Sequence, residues 1–202
     1  MNEIIKEIIA REWEMFQQVN SGTGVRASCQ DDSPTFRAMR SGQFAAWDDA
    51  ARMSYLVDLQ NAQAAGRNLI AEKYIYMMST TAPEEFAVLA ADIPRPSDRT
   101  FDLAAEICTK LVAQTEELHR DYPKVSGAGR PLYAVSDVNG YTSVETYQFS
   151  ELLTYSEGTL EKLLAHLNLL ESEGISLAKN ILQNSAQYYG YTSLEAAEAG
   201  QL

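Results

Sequence analysis

Apolar and polar positions along this chain recur at helical spacing. In the opening stretch, MNEIIKEIIAREWEMFQQV, residues Ile4, Ile5, Ile8, Ile9, Met15, Phe16 and Val19 gather into one arc of roughly 140° when residues are set about 100° apart. Glu3, Lys6, Glu7, Arg11 and Glu14 fall outside the arc, as an amphipathic helix requires. The same periodicity predicts helices over residues 2 to 19, 34 to 47, 48 to 65, 67 to 79, 82 to 91, 101 to 121, 142 to 155, 157 to 171 and 174 to 190, with a short piece after 192. No run alternates polar and β-branched residues as a strand would, so the expected fold is all-α, a single-domain multi-helix bundle spanning residues 1 to 202.

Helix starts are marked in the sequence. Ser33 before Pro34 has the form of an N-cap with proline at the first helical position, and Thr81 with Glu84 has capping-box spacing. Two near copies, Gly140-Tyr141-Thr142-Ser143-Val144-Glu145 and Gly190-Tyr191-Thr192-Ser193-Leu194-Glu195, share the threonine-to-glutamate spacing and are expected to be repeated capping chemistry, not a duplication. Two functional-looking loops separate the helices: residues 20 to 33, with Gly22 and Gly24, and residues 121 to 141, with Gly127-Ala128-Gly129-Arg130-Pro131. Pro94 and Pro96 mark a third loop. None is long or biased enough to be a linker between domains.

Three charges stand on the wrong faces. Glu12 lies near the centre of the first helix's apolar arc, and an unpaired buried carboxylate would cost several kcal/mol, so it needs a cation, a donor, a metal or a proton. Lys73 projects between Leu69, Ile70, Tyr76 and Met77 on a helix apolar nearly all round, which predicts its burial. Glu145 points with Phe149, Leu152 and Leu153. The bland reading is a structural Glu12 to Lys73 pair and a capping role for Glu145; convergence of all three would instead make a polar interior of the kind that holds ligands in helical bundles.

The stretch GVRASCQDDSPTFR carries more chemistry than a helix start needs. Arg26 with Gln30 could grip an anion, Asp31 and Asp32 could accept protons or hold a hard cation, and Cys29 could act as a nucleophile if its thiolate were stabilised. The bland readings are a solvated polar loop and an inert cysteine. Cys108 shares a face with Leu103, Ile107, Leu111 and Leu118 and reads as core. His119 and His166 have no HExxH, ExxH or Cys-Cys spacing beside them, so zinc and histidine-bound di-iron are not expected, and no metal ligands are assigned. Mg or Mn through carboxylates is the one metal option left open, and no other cofactor is evident.

Charge narrows the partners. Sixteen basic against 28 acidic side chains give a formal net charge of −12, which repels nucleic-acid backbones and anionic membrane surfaces. Apolar stretches break well before the roughly 18 residues of a membrane span, and the opening residues lack the pattern of a signal peptide. With two cysteines and no disulfide pattern, the expected compartment is the cytoplasm.

The segments EWEMFQQV, RASCQDD, TFRAMRSGQFAAW, GRNLIAEKYIYMM, GRP, TSVETY, ELLTYS and YGYTSLEAAE together resemble an uncharacterised bacterial family, domain of unknown function 4125, over nearly the whole chain. The resemblance implies no activity. It places Glu12, Trp13, Arg26, Cys29, Asp31, Asp32, Arg67, Asn68, Glu72, Lys73, Glu145 and Tyr147 inside the matching segments.

Two functions are open. In the leading one, a cytoplasmic enzyme takes a small polar or anionic metabolite into an interior charged pocket. Glu12, Asp31, Asp32, Glu145 and Cys29 would then be its catalytic candidates. Lys73 would stabilise negative charge, or act as a base or Schiff-base nucleophile if burial lowers its pKa. Arg26, Gln30, Arg67, Asn68 and Tyr147 would bind the substrate. The alternative is a non-catalytic ligand-binding or protein-interaction domain, with a homo-oligomer or a basic protein as partner, whose buried charges fix the helix register. A cavity shared by Glu12, Lys73 and the RASCQDD loop would favour the first; a dry, satisfied interior with Asp31 and Asp32 facing solvent would favour the second.

Overall fold

Asn, Asp and Ser side chains start most of the helices by accepting otherwise orphaned backbone N–H groups. The computed structural model describes residues 2–19, 28–127, 129–138 and 140–200. Within them run α1 (Glu3–Gln17), α2 (Ser33–Ala46), α3 (Asp49–Ala64), α4 (Leu69–Thr81), α5 (Pro83–Leu89), α6 (Asp98–Asp121), α7 (Val144–Leu152), α8 (Glu157–Ser172), α9 (Leu177–Tyr188) and α10 (Leu194–Gly200). Each element expected from periodicity is present, and the fold is an all-α bundle. The one β pairing among the described residues is an isolated bridge between Val138 and Tyr141.

Several helix starts differ from expectation. Asp32, not Ser33, caps α2 by accepting from the Thr35 N–H at 3.1 Å. Thr81 does not cap α5, because its hydroxyl turns back to the Met77 carbonyl and Ala82 occupies the cap position without a side-chain bond. α6 begins three residues early, at Asp98, because Ser97 accepts from the Thr100 N–H at 3.0 Å. In both Gly-Tyr-Thr-Ser copies the cap is the serine: Ser143 accepts from Thr146 and Ser193 from Ala196, each at 3.1 Å. That one-residue shift frees the following glutamates for tertiary work. Glu145 accepts from the Ala134 N–H at 2.7 Å and Glu195 from the Tyr122 hydroxyl at 2.6 Å.

α1 packs against α2, α3 and α4, while α6 packs against α7, α8 and α9; α2 to α9, α3 to α8 and α4 to α7 join the two groups. Their shared core centres on Ile8, Phe44, Leu59, Ile107, Leu160 and Leu167, all without solvent exposure. A smaller cluster of Leu118, Tyr122, Ala178, Ala186, Leu194 and Ala197 seats α10 on the ends of α6 and α9. Two long polar side chains close the C-terminal end of α1: Gln30 Nε2 donates to the Phe16 and Val19 carbonyls at 2.8 and 2.9 Å, and Asn68 Nδ2 donates to the Met15 carbonyl at 2.8 Å.

Candidate functional site

The misplaced charges of α1 and α4 are both buried, Glu12 with 0% and Lys73 with 3% of its surface exposed, and they are not each other's partner. Arg40, from α2, lies between them. Its Nε donates to Glu12 Oε2 at 2.7 Å and its Nη2 to Glu12 Oε1, while its Nη1 donates to the Glu151 carboxylate of α7 at 3.0 and 3.2 Å. Lys73 Nζ donates to Glu151 Oε2 at 2.5 Å, sharing that oxygen with Arg40 Nη1. Three helices and α4 thus meet in the chain Glu12, Arg40, Glu151, Lys73, with alternating sign and no net charge. The expected direct Glu12 to Lys73 pair is corrected to two pairs bridged by Arg40.

Remaining lone pairs are filled locally. The Tyr55 hydroxyl donates to Glu12 Oε1, and the Tyr155 hydroxyl to Glu151 Oε1, each at 2.7 Å. Gln43 bridges Arg40 and Glu151, accepting at 2.8 Å and donating at 3.0 Å. Lys73 Nζ also lies 3.4 Å from the Tyr147 ring centroid, and the Arg130 guanidinium 5.0 Å from it. Burial alone would raise the Glu151 carboxyl, but Arg40 and Lys73 hold it well below the usual carboxylate range. Burial would likewise lower Lys73, yet Glu151 lifts its pKa above the ordinary lysine value. The lowered pKa that a base or Schiff-base lysine needs is therefore reversed here. Burial foremost, with the neighbouring carboxylates, pushes the Tyr55 and Tyr155 phenols well up, so both stay protonated donors.

Of the opening loop's candidates, Arg26 lies outside the described residues. Cys29 is exposed and within electrostatic reach of Tyr74, whose phenol burial pushes up to about 12. Gln30 and Asn68 serve as the α1 closures above, and Asn68 also caps α4 through the Ala71 N–H at 2.9 Å. Asp31 and Asp32 are exposed, the latter as the α2 cap; the Thr35 hydroxyl and N–H lower its pKa. Among the described residues no group of three or more His, Cys, Asp or Glu side chains could hold a metal ion.

Open space lies elsewhere, along α4, α6 and α7. A wide lobe of about 570 Å³ is bordered by Phe86, Phe101, Phe149, Cys108 and Glu145. A narrower lobe of about 310 Å³ is bordered by Asp58, Asn61, Arg67, Thr154 and Ser156. Tyr76, Arg95, Pro96, Ser97 and Leu153 border both, so the lobes adjoin. Arg67 and Glu145 are the two predicted site residues placed on these walls; neither Glu12 nor Lys73 reaches them. Arg67 grips the buried Glu72 through Nε and Nη2 at 2.9 and 2.7 Å, a pairing that raises its pKa. Its Nη1 has no partner among the described residues, and neither has Arg95. Cys108 is inert at neutral pH, since burial lifts its thiol to about 12.

Sequence reasoning missed Arg40 and Glu151, although each carries the same signal as Glu12. Arg40 lies four residues from both Phe36 and Phe44, and Glu151 four from both Tyr147 and Tyr155. It also missed Arg95, an exposed arginine between two prolines, which no helical pattern marks.

The family described as protein of unknown function (DUF4125) matches residues 2–199, and the chain belongs to it. No curated protein and no solved structure matches the chain. Among the described residues no helix is long and apolar enough to cross a membrane.

Proposed function

For a member of a family whose description names no activity, function rests on the chain's own geometry, and we propose that this is a non-catalytic helical domain that binds a small molecule in the two-lobed groove along α4, α6 and α7. The observation that carries the proposal is that the two polar systems meet only at Tyr155, which donates to Glu151 and borders the narrow lobe. The interior charges satisfy one another and border neither lobe, whereas Arg67 and Arg95 stand on the groove walls with donors to spare. A space of a few hundred Å³ with mostly apolar walls and a few placed polar groups is the usual form of a ligand site. The buried network then acts as a frame that fixes how α1, α2, α4 and α7 sit together.

The net charge of −12 supports a small ligand over nucleic acid or an anionic membrane surface. The same reading places the domain in the bacterial cytoplasm, where two free thiols meet a reducing environment.

A thermal-shift screen of metabolites, metals and nucleotides tests it on the wild type, Ala105→Phe and Lys73→Met. Ala105 borders the wide lobe, so its replacement by phenylalanine pushes a ring into the space a ligand would take. The reading expects a ligand that raises the melting temperature of the wild type and of Lys73→Met by the same increment, but not that of Ala105→Phe. A ligand effect lost in folded Lys73→Met and kept in Ala105→Phe would return the site to the charged interior.

A further inference from the structure

We infer that the ligand is an amphipathic monoanion, an acyl or aryl body carrying one carboxylate or phosphate, with its head between Arg67 and Arg95 and its body in the wide lobe; this rests on the binding reading above. The two lobes form one continuous space and differ in the charged groups on their walls. Phe101 is 52% exposed and meets Phe149 edge-on at 5.1 Å, and with Phe86 and Leu153 the pair forms an apolar wall that no described residue covers. The narrow lobe carries two guanidinium groups, Arg67 and Arg95, against one carboxylate, Asp58. Asp58 already accepts from the Ser156 N–H at 3.0 Å and the Thr159 hydroxyl at 2.6 Å. Among the described residues Arg67 Nη1 has no partner while Glu72 fixes the rest of its guanidinium, and Arg95, at the junction, has none either. Arg67, fixed by Glu72, and the exposed Arg95 outnumber the Asp58 carboxylate on this lobe and form a site for one anionic group, which arginine binds through charge-assisted hydrogen bonds.

The acids limit the ligand to that one anionic end. Asp98 and Glu145 border only the wide lobe, so a second anion there would meet like charge. An apolar body avoids this penalty and covers the phenylalanine wall. The volume of about 570 Å³ accommodates a chain of eight or more carbons or a small ring system.

Calorimetric titration with octanoate, octan-1-ol and acetate separates body from head. The expected result is that octanoate binds, octan-1-ol binds about tenfold more weakly, and acetate gives no heat. Arg95→Gln lowers octanoate affinity towards that of octan-1-ol and leaves octan-1-ol unchanged, while Ala105→Phe weakens both. Arg95 is exposed and outside any helix, so the glutamine variant folds. Equal affinities for octanoate and octan-1-ol, or equal loss of both in Arg95→Gln, would overturn the anionic head while the groove remains a ligand site. Undiminished octanoate affinity in folded Ala105→Phe would overturn the groove as well. The protein is expected to stay in the supernatant with phosphatidylglycerol vesicles; co-sedimentation would replace a free amphiphile by membrane lipid and overturn the inference as stated.

Discussion

Arg40 holds two buried carboxylates at once, so its removal leaves Glu12 without a cation and Glu151 with Lys73 alone. Arg40→Met is expected to destabilise by about 3–5 kcal/mol in chemical denaturation, the usual cost of breaking a buried pair from one side. A loss near that of an exposed pair, under about 1 kcal/mol, would mean that water reaches the network. Tyr55→Phe removes one hydrogen bond to a charged acceptor and is expected to cost about 1.5–3 kcal/mol by the same measurement. At this scale the sequence was half legible. Glu12 and Lys73 were recognisable as buried because a wheel reports direction, yet their partners were not, because a wheel reports no distance between helices. Arg26 aside, the candidate site residues include three that close or start helices: Gln30 and Asp32 from the opening loop, and Asn68.

Helices approach most closely where side chains are smallest. At Gly42 on α2, an added Cβ would sit 3.0 Å from the Ile181 carbonyl and the Ser185 nitrogen of α9. Gly42→Ala therefore collides with the Ser185 hydroxyl, crowds two main-chain atoms of α9 and is expected to cost about 1–3 kcal/mol, of which Ser185→Ala restores only part because the main-chain contacts remain. Full rescue by Ser185→Ala in a denaturation midpoint would show that only the serine hydroxyl was in the way. Ser143→Ala, which strips the cap of α7, is expected to cost about 1 kcal/mol. Element positions were the most legible part of the sequence, since periodicity and capping residues are local. The frame of the two Gly-Tyr-Thr-Ser copies was not, because threonine and serine cap equally well locally. The choice is made by Glu145 and Glu195, which reach Ala134 and Tyr122 across the fold.

At the scale of the molecule, the network sets the limits of pH stability. The folded pKa of Glu151 is depressed, so its contribution is whole above the ordinary value of 4.5 and is lost as pH falls from there towards the folded value. That of Lys73 is raised, so its contribution is whole below 10.5 and is lost as pH rises through the folded value. Urea midpoints measured across pH are expected to fall on both flanks, with the acid flank flattened in Glu151→Gln; an unchanged acid flank would assign acid lability to other carboxylates. The groove was illegible beforehand because its walls come from α4, α6, α7 and the proline-bounded turn at Arg95, which are distant in sequence. The central claim, that interior charges hold the frame and the groove holds the ligand, is tested most directly by the octanoate affinity of the Lys73→Met, Glu151→Gln double variant. That variant removes one charge of each sign and leaves the Glu12 to Arg40 pair in place. The account predicts a folded protein that binds octanoate within about twofold of wild type. A folded double variant that no longer binds, with wild-type binding intact, would contradict it and make the buried charges the site.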